Sequence, residues 1–294
     1  MALRLWALLL PLACGADVPS VQLNNGVSMP VLAFAAEVWD AKTCLNATAE
    51  ALAAGFRFIW SSTLVGDDCQ KAQSQAVRNS GLPRAELFIA GTVNDPKCPD
   101  YASCYKETRA GAEKQFQLLD EKVLDMLMLD YPAESCRGIK GQWQALTDLY
   151  RQTKRVRSIA VSNFNLTQLQ CATSWEFVTM EPEVPAVNQM RFAVGHGHDP
   201  VLAEDAKLGI RVQAYSPLAK GKLATDALCQ KIGKSHGKSA VQVALKWILQ
   251  SNATIATQST NPQHLRSDLE IFDFTLTDGE MQQLNDHSPE LVVV

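Results

Sequence analysis

The sequence lacks a long apolar run after its first sixteen residues, and it lacks a strong excess of either charge. No later stretch approaches the ~20 apolar residues that a membrane-spanning helix requires. The 294 residues carry 27 Lys and Arg against 31 Asp and Glu, which gives a net charge of -4. A net charge this small gives no global field that attracts nucleic acid or an anionic membrane, so we expect no nucleic-acid partner. The absence of a long apolar run predicts that no later segment spans a membrane.

Two common ligand-binding motifs are also missing. No pair of cysteines has the CxxC spacing of a structural metal site. No GxGxxG follows the first predicted strand, Pro30 to Ala35, which weighs against a dinucleotide-binding Rossmann half. The segment His196-Gly197-His198-Asp199 offers imidazole and carboxylate groups, but two histidines and one acid in a glycine loop seldom complete a metal site. We expect a loop there and no metal.

The first residues have the pattern of a secretory signal peptide. Arg4 supplies a positive charge, Leu5 to Ala13 are apolar, and small residues precede Asp17. We therefore predict a signal peptide over residues 1–16, a single domain over 17–294, and a secreted or lumenal location. Three Asn-x-Thr sequons fit a glycoprotein of that route, at Asn46, Asn165 and Asn252.

Cysteine usage fits the same compartment. Seven cysteines follow the predicted leader, an odd number, so at least one thiol is left over. Cys98 and Cys104 bracket a polar loop that contains proline, and they are our first candidate for a disulfide. The sequence leaves the remaining connectivity open among Cys44, Cys69, Cys136, Cys171 and Cys229.

Eight short apolar runs alternate with longer stretches of helical pattern. Repeated strand-helix units of this length favour a parallel sheet, and eight of them favour a closed barrel over an open sheet. The predicted fold class is α/β, a single (β/α)8 TIM barrel. The predicted strands are Pro30 to Ala35, Phe56 to Trp60, Leu87 to Gly91, Val123 to Leu129, Val156 to Val161, Ala186 to Gln189, Ile210 to Tyr215 and Thr254 to Thr257. The predicted helices are Cys44 to Ala54, Ala72 to Asn79, Tyr105 to Leu119, Gly141 to Arg151 and Val241 to Leu249.

Sites in such a barrel form where the strands end and the following loops begin. The residues at these ends are Trp60, Thr92, Asp130, Ser162 with Asn163, Gln189, Tyr215 and Gln258.

Several segments resemble the aldo-keto reductase family, in the same order and over nearly all of the chain after the leader. They are Val21 to Pro30, Ala160 to Phe164, Pro185 to Gln189, Ala214 to Leu218, Gln258 to Pro262 and Phe272 to Thr277. The resemblance implies an aldo-keto-reductase-type barrel that transfers hydride from NAD(P)H to an aldehyde or ketone.

The resemblance also implies that the family's catalytic tetrad is absent. In the family a tyrosine donates the proton, a lysine lowers its pKa, an aspartate pairs with the lysine and a histidine orients the carbonyl. Position by position, the aspartate corresponds to Trp60, the tyrosine to Val65, the lysine to Thr92 and the histidine to Asp130. No catalytic residue is retained, and loss of general acid catalysis alone forfeits ~10²–10⁴ in rate.

Other residues could replace the missing proton donor. Tyr131 follows Asp130, but side chains alternate across a strand, so Tyr131 is expected to face the surrounding helices. Asp67 and Asp68 are expected in the loop after the second strand, where adjacent carboxylates are more often solvated or capping groups than an acid-base pair.

At the inner part of the cofactor site, the sequence retains the residues that the resemblance implies. Ser162, Asn163 and Gln189 match the family's partners for the nicotinamide amide, and Tyr215 matches the aromatic residue on which the ring stacks. Ser216 and Leu218 correspond to pyrophosphate contacts.

The adenosine end of the cofactor site is altered. Where the family holds the NADP 2′-phosphate with a lysine and an arginine, this chain has Gln258 and His264. Ser259 is retained, and Ser267 and Asp268 replace a glutamate and an asparagine, with Arg266 nearby. Because anion recognition relies on charge-assisted hydrogen bonds, we expect weakened NADPH binding and little preference over NADH.

Three hypotheses follow. The first is a protein that has lost the family's reductase mechanism and serves as a nucleotide-binding, ligand-binding or interaction scaffold. The alternative is an active NAD(P)H-dependent oxidoreductase with a relocated proton donor. A third is a carbohydrate or small-polyol binder that uses the space left at Val65 and Thr92.

Overall fold

A barrel preceded by a hairpin forms the core of the protein. The computed structural model describes residues 18–94, 97–174, 183–196 and 200–287. Within these ranges, eight parallel strands close into a barrel in sequence order, after an antiparallel hairpin. The hairpin strands are β1 (Ser20–Gln22) and β2 (Ser28–Pro30). The barrel strands are β3 (Leu32–Ala35), β4 (Phe58–Ser61), β5 (Phe88–Val93), β6 (Met126–Asp130), β7 (Ile159–Ser162), β8 (Val187–Arg191), β9 (Arg211–Tyr215) and β10 (Thr254–Thr257). The predicted fold class and all eight predicted strands are confirmed.

Helices connect successive barrel strands. Those of the described ranges are α1 (Ala41–Ala54), α2 (Asp67–Asn79), α3 (Tyr101–Leu118), α4 (Cys136–Asp148), α5 (Leu166–Thr173), α6 (Pro200–Lys207), α7 (Ala227–His236), α8 (Ala240–Gln250), α9 (Pro262–Leu269) and α10 (Asp278–Asn285). The five predicted helices correspond to α1 to α4 and α8. The others have eight to ten residues each, too few turns for a clear apolar periodicity.

Several helices begin at capping residues that can be recognised in the sequence. Asn165 and Gln168 form a reciprocal capping box at the start of α5, as their spacing predicts. Asp67 and Asp68 form the first turn of α2 and not part of a loop, which corrects the expectation. Both acids are exposed, and Asp67 is 2.8 Å from the Lys114 ammonium. Neither side chain caps the helix, but two negative charges in the first turn interact favourably with the helix dipole.

The barrel interior is filled by side chains from alternate strand positions. The rings of Phe58 and Phe88 lie 4.5 Å apart between their centroids, and Met126 and Met128 are completely buried beside them. Met29 of the hairpin is buried in the same cluster and closes the amino-terminal end of the barrel. Burying each such side chain contributes about 1.5–3 kcal/mol, so this end is packed, and a ligand site is left to the other end.

Within the described ranges, three disulfides link segments of the chain. Cys98 and Cys104 are bonded, which confirms the predicted pair. Cys44 with Cys69 joins α1 to α2, and Cys136 with Cys171 joins α4 to α5. Cys229 is a buried free thiol, in agreement with the odd count.

Some sequence expectations fall outside the described residues. The predicted signal peptide, Met1 to Ala16, is among them, and so are Gly197, His198 and Asp199 of the histidine-containing segment. In the described ranges, no three His, Cys, Asp or Glu side chains are placed to hold a metal ion. None of the helices described combines the length and the apolar character needed to cross a bilayer.

Candidate functional site

A cavity of about 680 Å³ opens at the carboxyl ends of the barrel strands. Most of the residues that the sequence placed at these ends line it: Trp60, Asp130, Ser162, Asn163, Gln189, Tyr215 and Gln258. Ser216 and Leu218, matched to pyrophosphate contacts, line it as well. Parallel strands that end at one rim bring these residues together from distant parts of the sequence.

A chain of hydrogen bonds crosses the floor of this cavity. The Tyr215 hydroxyl donates to Asn163 Oδ1 at 2.9 Å, and Asn163 Nδ2 donates to Ser162 Oγ at 2.9 Å. Ser162 is the register partner of Asp130 on the neighbouring strand. On the opposite side, the Ser62 hydroxyl donates to Asp130 Oδ2 at 3.3 Å.

The backbone at the end of β7 aims these groups. Asn163 has φ of +62°, a left-handed conformation that asparagine tolerates better than most residues. Its N–H donates to the Gln189 carbonyl at 2.8 Å, which fixes the turn against β8. The Gln189 side chain donates to Gln213 Oε1 at 2.7 Å. The matched nicotinamide partners are thus positioned by each other.

Burial governs the electrostatics of the floor. Asp130 is 3% exposed, and desolvation raises the pKa of its carboxyl group, with the Ser162 and Ser62 hydrogen bonds acting in the opposite direction. Burial also raises the pKa of the Tyr215 phenol, and nearby Tyr131 adds to that shift. The floor therefore favours uncharged forms of its acidic groups.

Two of the four tetrad-equivalent positions do not line the cavity. Thr92 is completely buried and accepts a hydrogen bond from the Thr63 N–H at 2.9 Å. Val65 packs against Cys44 and Cys69 of a disulfide, in a small apolar cluster. The third hypothesis required open space at Val65 and Thr92, and this premise is wrong because both side chains are part of the packed wall.

The other two tetrad-equivalent positions, Trp60 and Asp130, line the cavity, but their side chains differ in chemistry from those of the family. Trp60 has Ala35 and Ala90 beside it on the neighbouring strands, and these small residues leave room for the indole. The bulky ring occupies the position matched to the family's aspartate, and Asp130 occupies that of the histidine.

Tyr131 lies elsewhere than the sequence predicts. It lines the mouth cavity, and its expected orientation toward the surrounding helices is wrong. β6 ends at Asp130, and Tyr131 has φ of +71°, so the alternation of strand side chains does not continue to it. A left-handed backbone is rare for a bulky residue, and such conformations concentrate at functional sites.

The adenosine end presents little positive charge. Ser259 Oγ lies 3.5 Å from the Nδ1 atom of exposed His264. Asp268 is buried and accepts a hydrogen bond from Thr257 at 3.0 Å, and its desolvation raises the pKa to about 7. None of these three belongs to the cavity lining, and Arg266 is exposed on α9. This donor set does not fit a 2′-phosphate.

The sequence reasoning missed several residues of the rim. Lys220 is exposed in the loop after β9 and lines the cavity. It has φ of +58°, so the loop turns back over the opening in a way that strand periodicity does not show. Leu64, which is 51% exposed, and Glu37 line other parts of the rim. Their only sequence signal was proximity to a strand end.

A closed (β/α)8 barrel with its cavity at the carboxyl ends of the strands defines a TIM-barrel protein with a candidate ligand site at the mouth. The model of the aldo/keto reductase family matches residues 35–289. Morphine 6-dehydrogenase of Pseudomonas putida is 30% identical over 281 residues, 91% of this chain and 90% of that protein. An aldo-keto reductase of Mycobacterium sp. (strain MCS) is 32% identical over 270 residues, 92% of this chain and 91% of that protein.

The crystal structure of an aldo/keto reductase from Brucella melitensis is also similar, with a TM-score of 0.80 at 28% identity. The match covers 92% of this chain and 99% of that chain. The protein belongs to the aldo/keto reductase family, whose members generally use NADP(H).

Proposed function

We propose that this protein binds the nicotinamide end of NAD(H) or NADP(H) in its mouth cavity and is impaired in the tyrosine-catalysed reduction of its family. It would act as a nucleotide-binding or ligand-binding scaffold. One observation carries the proposal: the positions matched to the nicotinamide partners line the cavity, whereas Val65 and Thr92, matched to the proton donor and its activating lysine, do not.

The chemistry of the lining fits the nicotinamide. Hydroxyl and amide groups of Ser162, Asn163 and Gln189 can pair with a carboxamide, and the half-buried ring of Tyr215 offers an aromatic face. Lys220 adds a cation at the rim for a pyrophosphate. The bound nucleotide would supply a hydride, but neither Val65 nor Thr92 can protonate a developing alkoxide.

Calorimetric titration of the protein with NADPH and NADH tests the binding. We expect micromolar binding of both, weakened about tenfold or more by Tyr215→Ala or Asn163→Ala, since each removes contact area or hydrogen bonds. Asn46→Ala, at an exposed position of α1, is the matched control and should bind as the wild type does. Absence of binding by the wild-type protein would refute the proposal.

Assays with aromatic aldehydes test the impairment. We expect no NADPH-dependent reduction above background. Turnover that disappears in the Asn163→Ala variant would contradict the proposal.

An active oxidoreductase with a relocated donor is the second candidate, and the position of Tyr131 in the cavity favours it. It requires turnover that Tyr131→Phe removes while NADPH binding is retained, because that change deletes only the hydroxyl group. Turnover that survives Tyr131→Phe would exclude Tyr131 as the donor.

We also propose that the protein enters the secretory route. The pattern of Met1 to Ala16 and the three disulfides support this route. Asn46 and Asn165 are exposed and could carry glycans. Expression in a secreting eukaryotic cell should yield a glycosidase-sensitive product in the medium; retention of an unmodified chain in the cytosol would contradict the route.

A further inference from the structure

The three disulfides of the described ranges differ in their exposure to solvent. Cys136, at the start of α4, is exposed, and it is bonded to Cys171 of α5, which is 7% exposed. The four cysteines of the other two disulfides are buried, and none of them is more than 4% exposed. Because thiol–disulfide exchange requires a thiolate to reach a sulfur atom, we expect a reagent in solution to reach the bond at Cys136 first.

The position of Cys136 also favours its reduced form. It is the first residue of α4, and the Ser135 hydroxyl group caps that helix by accepting the Gly138 N–H at 3.0 Å. The amino-terminal end of a helix stabilises a thiolate. Glu134 and Arg137, the nearest charges in the sequence, have opposite signs and offset each other. A disulfide whose reduced form is stabilised is reduced more easily.

This disulfide joins the two helices that follow adjacent segments of the mouth. α4 follows the segment of Tyr131, and α5 follows the segment of Asn163. Both residues line the cavity, and both have a left-handed backbone, with φ of +71° and +62°. Such conformations persist only where the surrounding structure holds them. The disulfide is one of the links that hold these two segments together.

Other contacts attach each segment to the rest of the barrel. The Ala133 N–H donates to Gln142 Oε1 at 2.9 Å, and the Asn163 N–H donates to the Gln189 carbonyl at 2.8 Å. Neither hydrogen bond involves the disulfide, so its loss should loosen the mouth without unfolding the barrel. Local opening of this kind requires less free energy than global unfolding.

We propose that the disulfide of Cys136 and Cys171 is a site of thiol–disulfide exchange with dithiols, and that its reduction loosens the Tyr131 and Asn163 segments of the mouth. A thiolate of the dithiol attacks Cys136 Sγ, and the Cys171 sulfur leaves as a thiolate and takes a proton. The second thiol of the dithiol then attacks the mixed disulfide and releases Cys136 as a thiolate. The dithiol loses two electrons and two protons and becomes a cyclic disulfide. The protein takes up both electrons and one proton, and the solvent takes up the other proton.

Graded reduction of the wild-type protein with dithiothreitol, followed by alkylation and peptide mass spectrometry, measures the order in which the disulfides open. We expect Cys136 and Cys171 to be alkylated about tenfold faster, or more, than the cysteines of the other two disulfides. Cys229, a buried free thiol, is the internal control and should stay unmodified, because only unfolding exposes it. Alkylation of all three pairs at one rate, or together with Cys229, would overturn the proposal.

Hydrogen exchange of the reduced and alkylated protein tests the effect on the mouth without a ligand. We expect the amides of 131–136 and 163–171 to exchange about tenfold faster than in the oxidised protein, and the double variant Cys136→Ser with Cys171→Ser to behave in the same way. Cys44→Ser with Cys69→Ser, which removes the buried disulfide between α1 and α2, is the matched control and should leave both segments unchanged.

Unchanged exchange of the two segments after reduction would overturn the proposal. Should the double variant at Cys136 and Cys171 not fold, the reduced wild-type protein gives the same measurement. Neither readout requires a nucleotide, so failure of the protein to bind NADH would refute the proposed function alone, and the reduction and exchange results would still decide this inference.

Discussion

The two sides of the barrel mouth use polar side chains differently. On the side formed by β7 to β9, Ser162, Asn163 and Tyr215 bond to one another and also line the cavity. On the side formed by β4 and β5, Thr92 bonds to Thr63 and lies outside the cavity. The positions matched to nicotinamide contacts therefore line the cavity, whereas Val65 and Thr92, two of the four positions matched to the tetrad, are packed in the wall.

This difference teaches that positions matched to a catalytic tetrad can hold unrelated side chains without leaving a hole in the barrel wall. Val65 packs with a disulfide, and Trp60 is accommodated by the alanines beside it. Val65 and Thr92 fit the packed wall, whereas the indole N–H of Trp60 is buried without a hydrogen-bond partner in the part of the chain that the structure describes. Mutations should then change mainly the stability on the side formed by β4 and β5, and mainly ligand binding on the side formed by β7 to β9.

The largest effect is expected at the adenosine end, beside these two sides, where Asp268 is buried between α9 and β10 and has a pKa raised to about 7. In the unfolded chain it titrates near ~3.9. Between these values the unfolded state has lost the proton that the folded state retains. Folding must then take up a proton, so the free energy of unfolding falls as the pH rises from about 4 to about 7. The upper bound is roughly 1.4 kcal/mol per pH unit over that window.

Asp268→Asn should therefore be more stable than the wild type at pH 8 by about 1–3 kcal/mol, and the gain should disappear near pH 4. Urea denaturation at several pH values measures it. The exposed acid Glu50 provides a control, since Glu50→Gln should leave the pH slope as it is. An unchanged slope in Asp268→Asn would mean that Asp268 is ionised and accessible, and would return it to the candidates for nucleotide contact.

The next effect concerns the structural side. Thr92→Val keeps the shape of the side chain but leaves the Thr63 N–H without its acceptor, which should cost about 1–3 kcal/mol in the free energy of unfolding. Thr92→Ser retains the hydroxyl and should cost less. NADH affinity, measured by calorimetry, should stay within about twofold for both variants, because Thr92 lies outside the cavity. A large loss of NADH affinity with unchanged stability would show that the two sides are not separate.

The sequence predicts the position of a site residue correctly where strand geometry alone determines that position. Trp60, Asp130, Gln189 and Tyr215 could be placed at the mouth because parallel strands end at one rim. Tyr131 could not, because a left-handed residue ends the alternation on which its orientation was inferred. The pairing of Thr92 with Thr63 could not be foreseen either, since it depends on the 3₁₀ turn over Thr63–Val65 that follows β4.

The charge balance of the outer site illustrates the same limit. The sequence alone shows that His264 and Gln258 stand where the family has an arginine and a lysine, because only the residue type at a matched position is needed. Lys220 could not be found, because its place over the cavity follows from consecutive left-handed residues, Ala219 and Lys220, in a loop without a periodic pattern.

The smallest effect concerns the choice between the two nucleotides. Without a cation at the matched positions, the wild-type protein should bind NADPH and NADH within about threefold of each other. His264→Arg supplies a guanidinium near Ser259, where exposed His264 lies, and should tighten NADPH binding about five- to tenfold with NADH unchanged. Because the position is exposed, that gain should shrink between 50 and 300 mM salt. His264→Gln, which adds no charge, should leave the ratio of the NADPH and NADH affinities unaltered. If the arginine tightened the binding of both nucleotides equally, it would contact the pyrophosphate that they share. The adenosine end would then not be the place where the two cofactors are distinguished.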